Sequence, residues 1–235
     1  RADAEAGAID FNGGSITKES TVKKATAPAG YCWNAAGELG VHTFSVATCE
    51  TPATCAHCGA IGEAALGHKY SGTFDKTCDN NCGTTREVPD AIAINITTDT
   101  KYLTLAEAVQ EAESGAVIVL QKSTSGKALV IEQNKNITIW FNGHSYAVNA
   151  TENAEAAVTI EKDATLTLEG GQLVTRKAHT DAYDTLILNN GTLIVNDMKL
   201  NGSYLKSLSS VISNVNGTVD LNGTTIFVVR AGAGF

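Results

Sequence analysis

The chain has 235 residues, 43% of them apolar and 18% charged, with a formal net charge of −8. An acidic chain of this kind lacks the basic face that nucleic-acid binding needs, which excludes that partner class. No apolar run approaches the ~18 residues that suggest a membrane-spanning helix, and 22 Gly against 3 Pro suits a β-rich fold. No initiator Met stands first and no leader peptide is recognisable, so a processed, secreted chain is expected. Three segments are expected: a strand and linker over 1–30, a Cys-rich module over 31–88 and a repetitive β unit over 89–235.

The first element is AIDFNGGSIT, residues 8–17. Ile9 and Phe11 alternate up to an Asn12-Gly13 bend, and Ile16 resumes the apolar pattern after it. Residues 18–31, KESTVKKATAPAGY, read as a linker.

All six Cys lie within residues 32–82. Cys55-x2-Cys58 with Cys78-x3-Cys82 approximates zinc-ribbon spacing, and Cys32-x9-His42 is echoed by Cys58-x9-His68. Thiolates and imidazoles at such intervals suit a soft tetrahedral ion. One grouping uses every ligand: Cys49, Cys55, Cys58 and His68 in one zinc site, and Cys32, His42, Cys78 and Cys82 in another. Three disulfides are the alternative, natural in a small secreted module, with Cys78–Cys82 and Cys32–Cys49 as plausible pairs. Either role is structural, because no open coordination position beside a general base is marked. The stretches ATCAHCGAIGEAALGHKY (53–70) and CDNNCGTTR (78–86) resemble short Cys-rich repeats in surface proteins of clostridia and their relatives.

A short amphipathic helix is expected within 102–123. Leu105, Ala108, Val109 and Ala112 share one face, and Ser114-Gly115 ends it. Four segments then superimpose without gaps: NITIWFNGHSY (136–146), DATLTLEGGQL (163–173), NGTLIVNDMKL (190–200) and NGTVDLNGTTI (216–226). Their starts lie 27, 27 and 26 residues apart. The alignment stacks Ile139, Leu166, Leu193 and Val219, then Phe141, Leu168, Val195 and Leu221. After the bend it stacks Tyr146, Leu173, Leu200 and Ile226, and before it Ile131, Val158, Thr185 and Val211. Alternating strands at a fixed period specify an all-β fold, a parallel β-solenoid in which each coil pairs with the last. Residues from about 95 onward resemble the right-handed parallel β-helix of pectin-lyase-like surface proteins of gut anaerobes. That resemblance implies the handedness and a helical N-terminal cap.

Polysaccharide lyases and hydrolases share this fold, so the fold alone does not decide activity. Coils of 26–27 residues leave no spare length to wall a cleft. The paired Asp of polygalacturonases and the calcium-carboxylate cluster of pectate lyases are not found, so no catalytic residue is expected. His144 reads as a turn residue. The densest polar set on the variable face is Arg176, His179, Asp181, Tyr183 and Asp184, either a sugar-binding surface or a solvated loop. At the far end, Leu221, Ile226 and Val228 read as an apolar coil without an evident cap. The 8–17 pattern matches a coil and would fit there, in the same chain or in a neighbouring copy; a separate β-hairpin is the third reading. The expected function is a surface protein that polymerises head to tail. A monomeric adhesin or glycan-binding module is the alternative, and a polysaccharide lyase or hydrolase comes third.

Overall fold

The computed structural model describes residues 27–34, 38–149, 155–176, 183–205 and 210–227. The chain divides into two compact units, Arg1–Val88 and Pro89–Phe235.

The first unit has little regular structure. Strand β1 (Tyr31–Trp33) pairs antiparallel with β2 (Leu39–Val41). Isolated antiparallel bridges follow at Phe44–Cys55, Thr54–Ile61 and Thr77–Thr85. Its buried apolar residues are Cys32, Ala47, Cys49, Ala53, Cys55 and Cys78, while Val46 and Ile61 face solvent. Among the described residues, then, no large aliphatic or aromatic side chain is fully buried in this unit.

The second unit opens with an antiparallel hairpin, β3 (Ala93–Asn95) and β4 (Thr100–Tyr102), followed by helix α1 (Leu105–Glu111). Thr104 caps the helix, its hydroxyl accepting from the Glu107 N–H at 3.1 Å. Leu105, Ala108, Val109 and Ala112 are all buried, as their spacing predicts. Twelve described strands then wind as a coil: β5 (Ala116–Leu120), β6 (Thr124–Gly126), β7 (Leu129–Ile131), β8 (Asn136–Trp140), β9 (Ser145–Val148) and β10 (Ala156–Ile160). They continue with β11 (Thr165–Thr175), β12 (Thr185–Asn189), β13 (Thr192–Asn201), β14 (Ser210–Asn214), β15 (Thr218–Asn222) and β16 (Thr225–Phe227), making twelve in all.

Every pairing among these strands is parallel. One face runs β5-β8-β11-β13-β15 and another β7-β10-β12-β14; β6, β9 and β16 extend a third through the far halves of β11 and β13. The fold is therefore a parallel β-solenoid. Its first coil is covered: β3 pairs antiparallel with β5, and α1 packs against β3, β4, β5 and β7. A row of unpaired strand groups is thus closed off at this end.

The register corrects the sequence alignment. Ile118 pairs with Ile139, Ile139 with Leu168, Leu168 with Val195 and Val195 with Leu221, so successive coils take 21, 29, 27 and 26 residues on this face, not a uniform 26–27. After the bend, Tyr146 pairs with Leu173 as expected. The difference lies in the corner. Asn142 and Gly143 adopt φ of 51° and 79°, and the His144 N–H closes the turn onto the Phe141 carbonyl at 2.8 Å. In the next coil only Gly170 and Gly171 make the same corner. A Cβ on Gly171 would collide with the His144 carbonyl and the Phe141 side chain, so the shorter corner needs glycine there. Phe141 consequently sits in the corner, not in the column of Leu168.

The other face shows the same correction. Ile131 pairs with Ile160, and Val158 with Leu129 on one side and Ile187 on the other. These slips are of two residues, which keeps inward side chains inward; the last step slips by one, Thr185 pairing with Ser210 and not with Val211. This face ends in a polar ladder. The side-chain NH2 of Asn189, fully buried, donates to Asn214 Oδ1 at 2.8 Å and to the Thr218 carbonyl at 3.0 Å, and its Oδ1 accepts from the Gly191 N–H.

Candidate metal centres

The eight Cys and His ligands predicted from sequence converge in two clusters, but not in the predicted grouping. Cys32, His42, Cys55 and Cys58 form the first centre, and Cys49, His68, Cys78 and Cys82 the second. Within each cluster the donor atoms lie within 4.8 Å of one another. Cys49 and His68 thus leave Cys55 and Cys58, and Cys32 and His42 leave Cys78 and Cys82. Of the disulfide pairs that the spacing allowed, Cys32 and Cys49 fall in different centres, while Cys78 and Cys82 share one.

The two centres are built alike. In the first, the Cys55 N–H donates to the Ala60 carbonyl, Gly59 to Cys55, and Ala56 to Thr43 just after His42. In the second, Cys78 donates to Thr84, Asn81 to Cys78, and Asp79 to Lys69 just after His68. Each knuckle ends in a left-handed glycine, Gly59 (φ 72°) or Gly83 (φ 78°). The second takes one more residue between its cysteines, and Asn81 absorbs it at φ 55°.

The distances have the size of a coordination tetrahedron. Cys32 and Cys55 sulfurs are 3.6 Å apart and Cys49 and Cys78 sulfurs 3.7 Å. Cys58 Sγ lies 3.4 Å from His42 Nδ1, and Cys82 Sγ lies 3.5 Å from His68 Nδ1. Metal–sulfur bonds of about 2.3 Å and metal–nitrogen bonds of about 2.0 Å give tetrahedral edges of roughly 3.8 and 3.5 Å. Each cluster can therefore hold one metal ion.

The thiols are unevenly poised. Burial and the neighbouring Cys55 and Cys58 push Cys32 up to about 12. Hydrogen bonding to Cys82, then burial and Cys78, push Cys49 up to about 12. Burial opposes ionisation of Cys55, but backbone N–H groups of the knuckle and the His42 ring outweigh it and bring its pKa down to about 5. Burial is outweighed in the same way at Cys78, and the Thr84 hydroxyl leads the lowering at Cys82. Cys55, Cys78 and Cys82 thus ionise more readily than an ordinary thiol, while Cys32 and Cys49 hold a proton that a metal ion would displace.

Outside the ligands the centres differ. The His42 ring stacks on Phe44 at 5.3 Å, whereas His68 Nε2 faces Glu50 Oε1 at 3.8 Å. The aromatic equivalent to Phe44 is Tyr70, covered by the Arg86 guanidinium at 4.2 Å. Arg86 is held there by the carbonyls of Asp75 and Gly72. Sequence reading missed Glu50, which no spacing rule marks, and gave no role to Arg86, the last residue of the CDNNCGTTR stretch.

On the solenoid, the proposed acceptor residues Leu221 and Ile226 are 42% and 44% exposed, and Phe227 beside them is exposed too. Their partners one coil back, Val195 and Leu200, are fully buried. Val228 and the assembly residues Ile9, Phe11, Asn12, Gly13 and Ile16 lie outside the described residues, as do His179 and Asp181. Of the remaining candidate sugar face, Arg176 and Asp184 are exposed, but Tyr183 is not. Its ring is buried and its hydroxyl donates to the Asn149 carbonyl at 2.6 Å, so it belongs to the core. Trp140, by contrast, is exposed and lines a groove with Asn142, Gln172, Asp197 and Lys199. Its outward place between inward Ile139 and Phe141 is the signal that marks it.

Fold and site together define a parallel β-solenoid joined to a Cys/His-rich unit with two metal-ion-sized clusters. No protein-family model matches the chain, and no curated protein or solved structure shows significant similarity to it.

Proposed function

We propose that the chain is a non-catalytic structural protein of the extracellular surface that polymerises head to tail. The observation that carries this reading is the exposure of Leu221 and Ile226 in columns that are buried in the three coils before them: Val195, Leu168 and Ile139 in one, Leu200, Leu173 and Tyr146 in the other. Such a coil offers both backbone pairing and apolar pockets to a strand of matching pattern. Residues 8–17 have that pattern, with Ile9 and Phe11 before the Asn12-Gly13 bend and Ile16 after it. Donation to the next copy is a heterologous contact, which propagates as a filament unless rotation closes a ring. The resemblance of both units to surface-protein modules supports a location outside the cell. Electron microscopy and size exclusion of the whole chain against one lacking residues 1–17 test the proposal. Filaments lost on truncation support it, and monomers in both samples overturn it.

The Cys-rich unit acts in this scheme as a zinc-stapled module. Three thiolates and an imidazole at tetrahedral spacing close the coordination sphere, as structural zinc sites do. Metal analysis is expected to find two zinc ions per chain. A denatured, unreduced mass lower than that of six thiols by about six hydrogens means three disulfides and sinks this assignment.

Trp140 favours a second reading, a glycan-binding module. An indole face with amide, carboxylate and ammonium groups around it suits a sugar ring. A Trp140→Ala variant that keeps all glycan binding of the native chain removes that reading.

A further inference from the structure

Cys49, a ligand of the second centre, lies in the chain between His42 and Cys55 of the first. The segment between is a hairpin. Phe44 and Cys55 bridge at its base, and the Ser45 N–H donates to the Thr54 carbonyl at 2.9 Å. At its tip the Thr48 N–H donates to the Thr51 carbonyl, and the Thr48 hydroxyl accepts from the Thr51 N–H at 3.0 Å. Cys49 is carried on that tip. The tip also holds the approach to His68: Leu66 donates to the Thr48 carbonyl at 2.8 Å and Gly67 to the Cys49 carbonyl at 2.9 Å.

From this arrangement we infer that the two centres load cooperatively, with the 44–55 hairpin as the coupling element. The inference rests on the zinc reading above. An ion in the first centre fixes His42 and Cys55, which flank the hairpin base. A closed base orders the tip, and the tip places Cys49 and His68, two of the four donors of the second centre. The second ion then meets a site whose ordering entropy has already been lost. Linkage makes the effect mutual, so an ion in the second centre tightens the first by the same factor. Among its described residues the unit has no large, fully buried side chain to order the hairpin without metal, which makes the coupling strong.

Native mass spectrometry of the reduced, metal-free full chain titrated with zinc reads this directly. At half loading, two independent equal sites leave about half of the chains with one ion, whereas a tenfold coupling leaves roughly a quarter. A one-ion population at the statistical level, with two ions bound at saturation, overturns the coupling and leaves the zinc reading standing. A chain that takes up no zinc overturns both. The double variant Thr48→Ala/Thr51→Ala loosens the tip without touching a ligand. It is expected to raise the one-ion population toward the statistical level while still binding two ions. If its loading stays as cooperative as that of the native chain, the hairpin is not the coupling element.

Discussion

The two units solve the same problem with different materials. The solenoid offsets chain entropy by repetition: Ile118, Ile139, Leu168 and Val195 stack in one fully buried column, backed by continuous parallel ladders. The Cys-rich unit buries only cysteines and alanines among its described residues. A small module without an aliphatic core needs covalent or metal cross-links to fold. Metal removal therefore has the largest expected effect. Structural zinc in small modules carries apparent folding free energies of about 10–16 kcal/mol. Under a chelator and reductant, limited proteolysis should cut within 31–88 and spare the solenoid. If the Cys-rich unit resists protease without metal and with all thiols free, the contrast is wrong.

The next largest effect separates the middle of the solenoid from its end. Leu168 and Leu221 are equivalent positions two coils apart, one buried and the other exposed. Leu168→Ala should cost about 2–5 kcal/mol through lost burial and the cavity left behind. Leu221→Ala should cost under about 1 kcal/mol in the monomer, since less apolar area is lost from the core. Denaturant titration of the solenoid transition compares them. Leu221→Lys should leave that transition near its native position yet abolish the proposed assembly, which separates docking from folding.

How far each region could be read in advance follows the same divide. Solenoid periodicity is local and repeated, so strands, cap helix and inward faces were legible. Register failed by two residues at the Asn142-Gly143 corner, because a two-residue insertion preserves alternation and leaves no mark in the apolar pattern. Tyr183 was assigned to the surface because polar residues surround it. Its parity with the inward Thr185, Ile187 and Asn189 carried the better signal. In the Cys-rich unit the ligand types and knuckle spacings were legible, but their partition was not. Partition depends on the 44–55 hairpin, which takes Cys49 away from Cys55 despite their closeness in sequence, and short bridges leave no periodicity to read.

A smaller effect is expected where the solenoid core turns polar. Asn189→Ala leaves the Gly191 N–H, Asn214 Oδ1 and the Thr218 carbonyl without the partner that now satisfies them. Burying unsatisfied groups of this kind costs about 1–3 kcal/mol. Asn214 is more exposed, so Asn214→Ala should cost less. Equal losses from both variants would mean that the ladder acts as a unit and not through its buried member.

The smallest effect compares the two candidate metal centres. A carboxylate behind a metal-bound imidazole fixes the ring and commonly contributes 10–100-fold in affinity. Glu50 can act this way on His68, but its side chain is 78% exposed and 3.8 Å from Nε2, too long for a direct hydrogen bond. Solvent screening should hold the effect of Glu50→Gln below about tenfold, and high salt should shrink it further. His42 has Phe44 in place of a carboxylate, so no comparable salt dependence is expected at the first centre. Chelator competition at low and high salt measures both. If Glu50→Gln weakens metal binding equally at both salt concentrations, Glu50 acts through the fold of the 48–51 tip instead of through its charge, and the two centres differ less than their surroundings suggest.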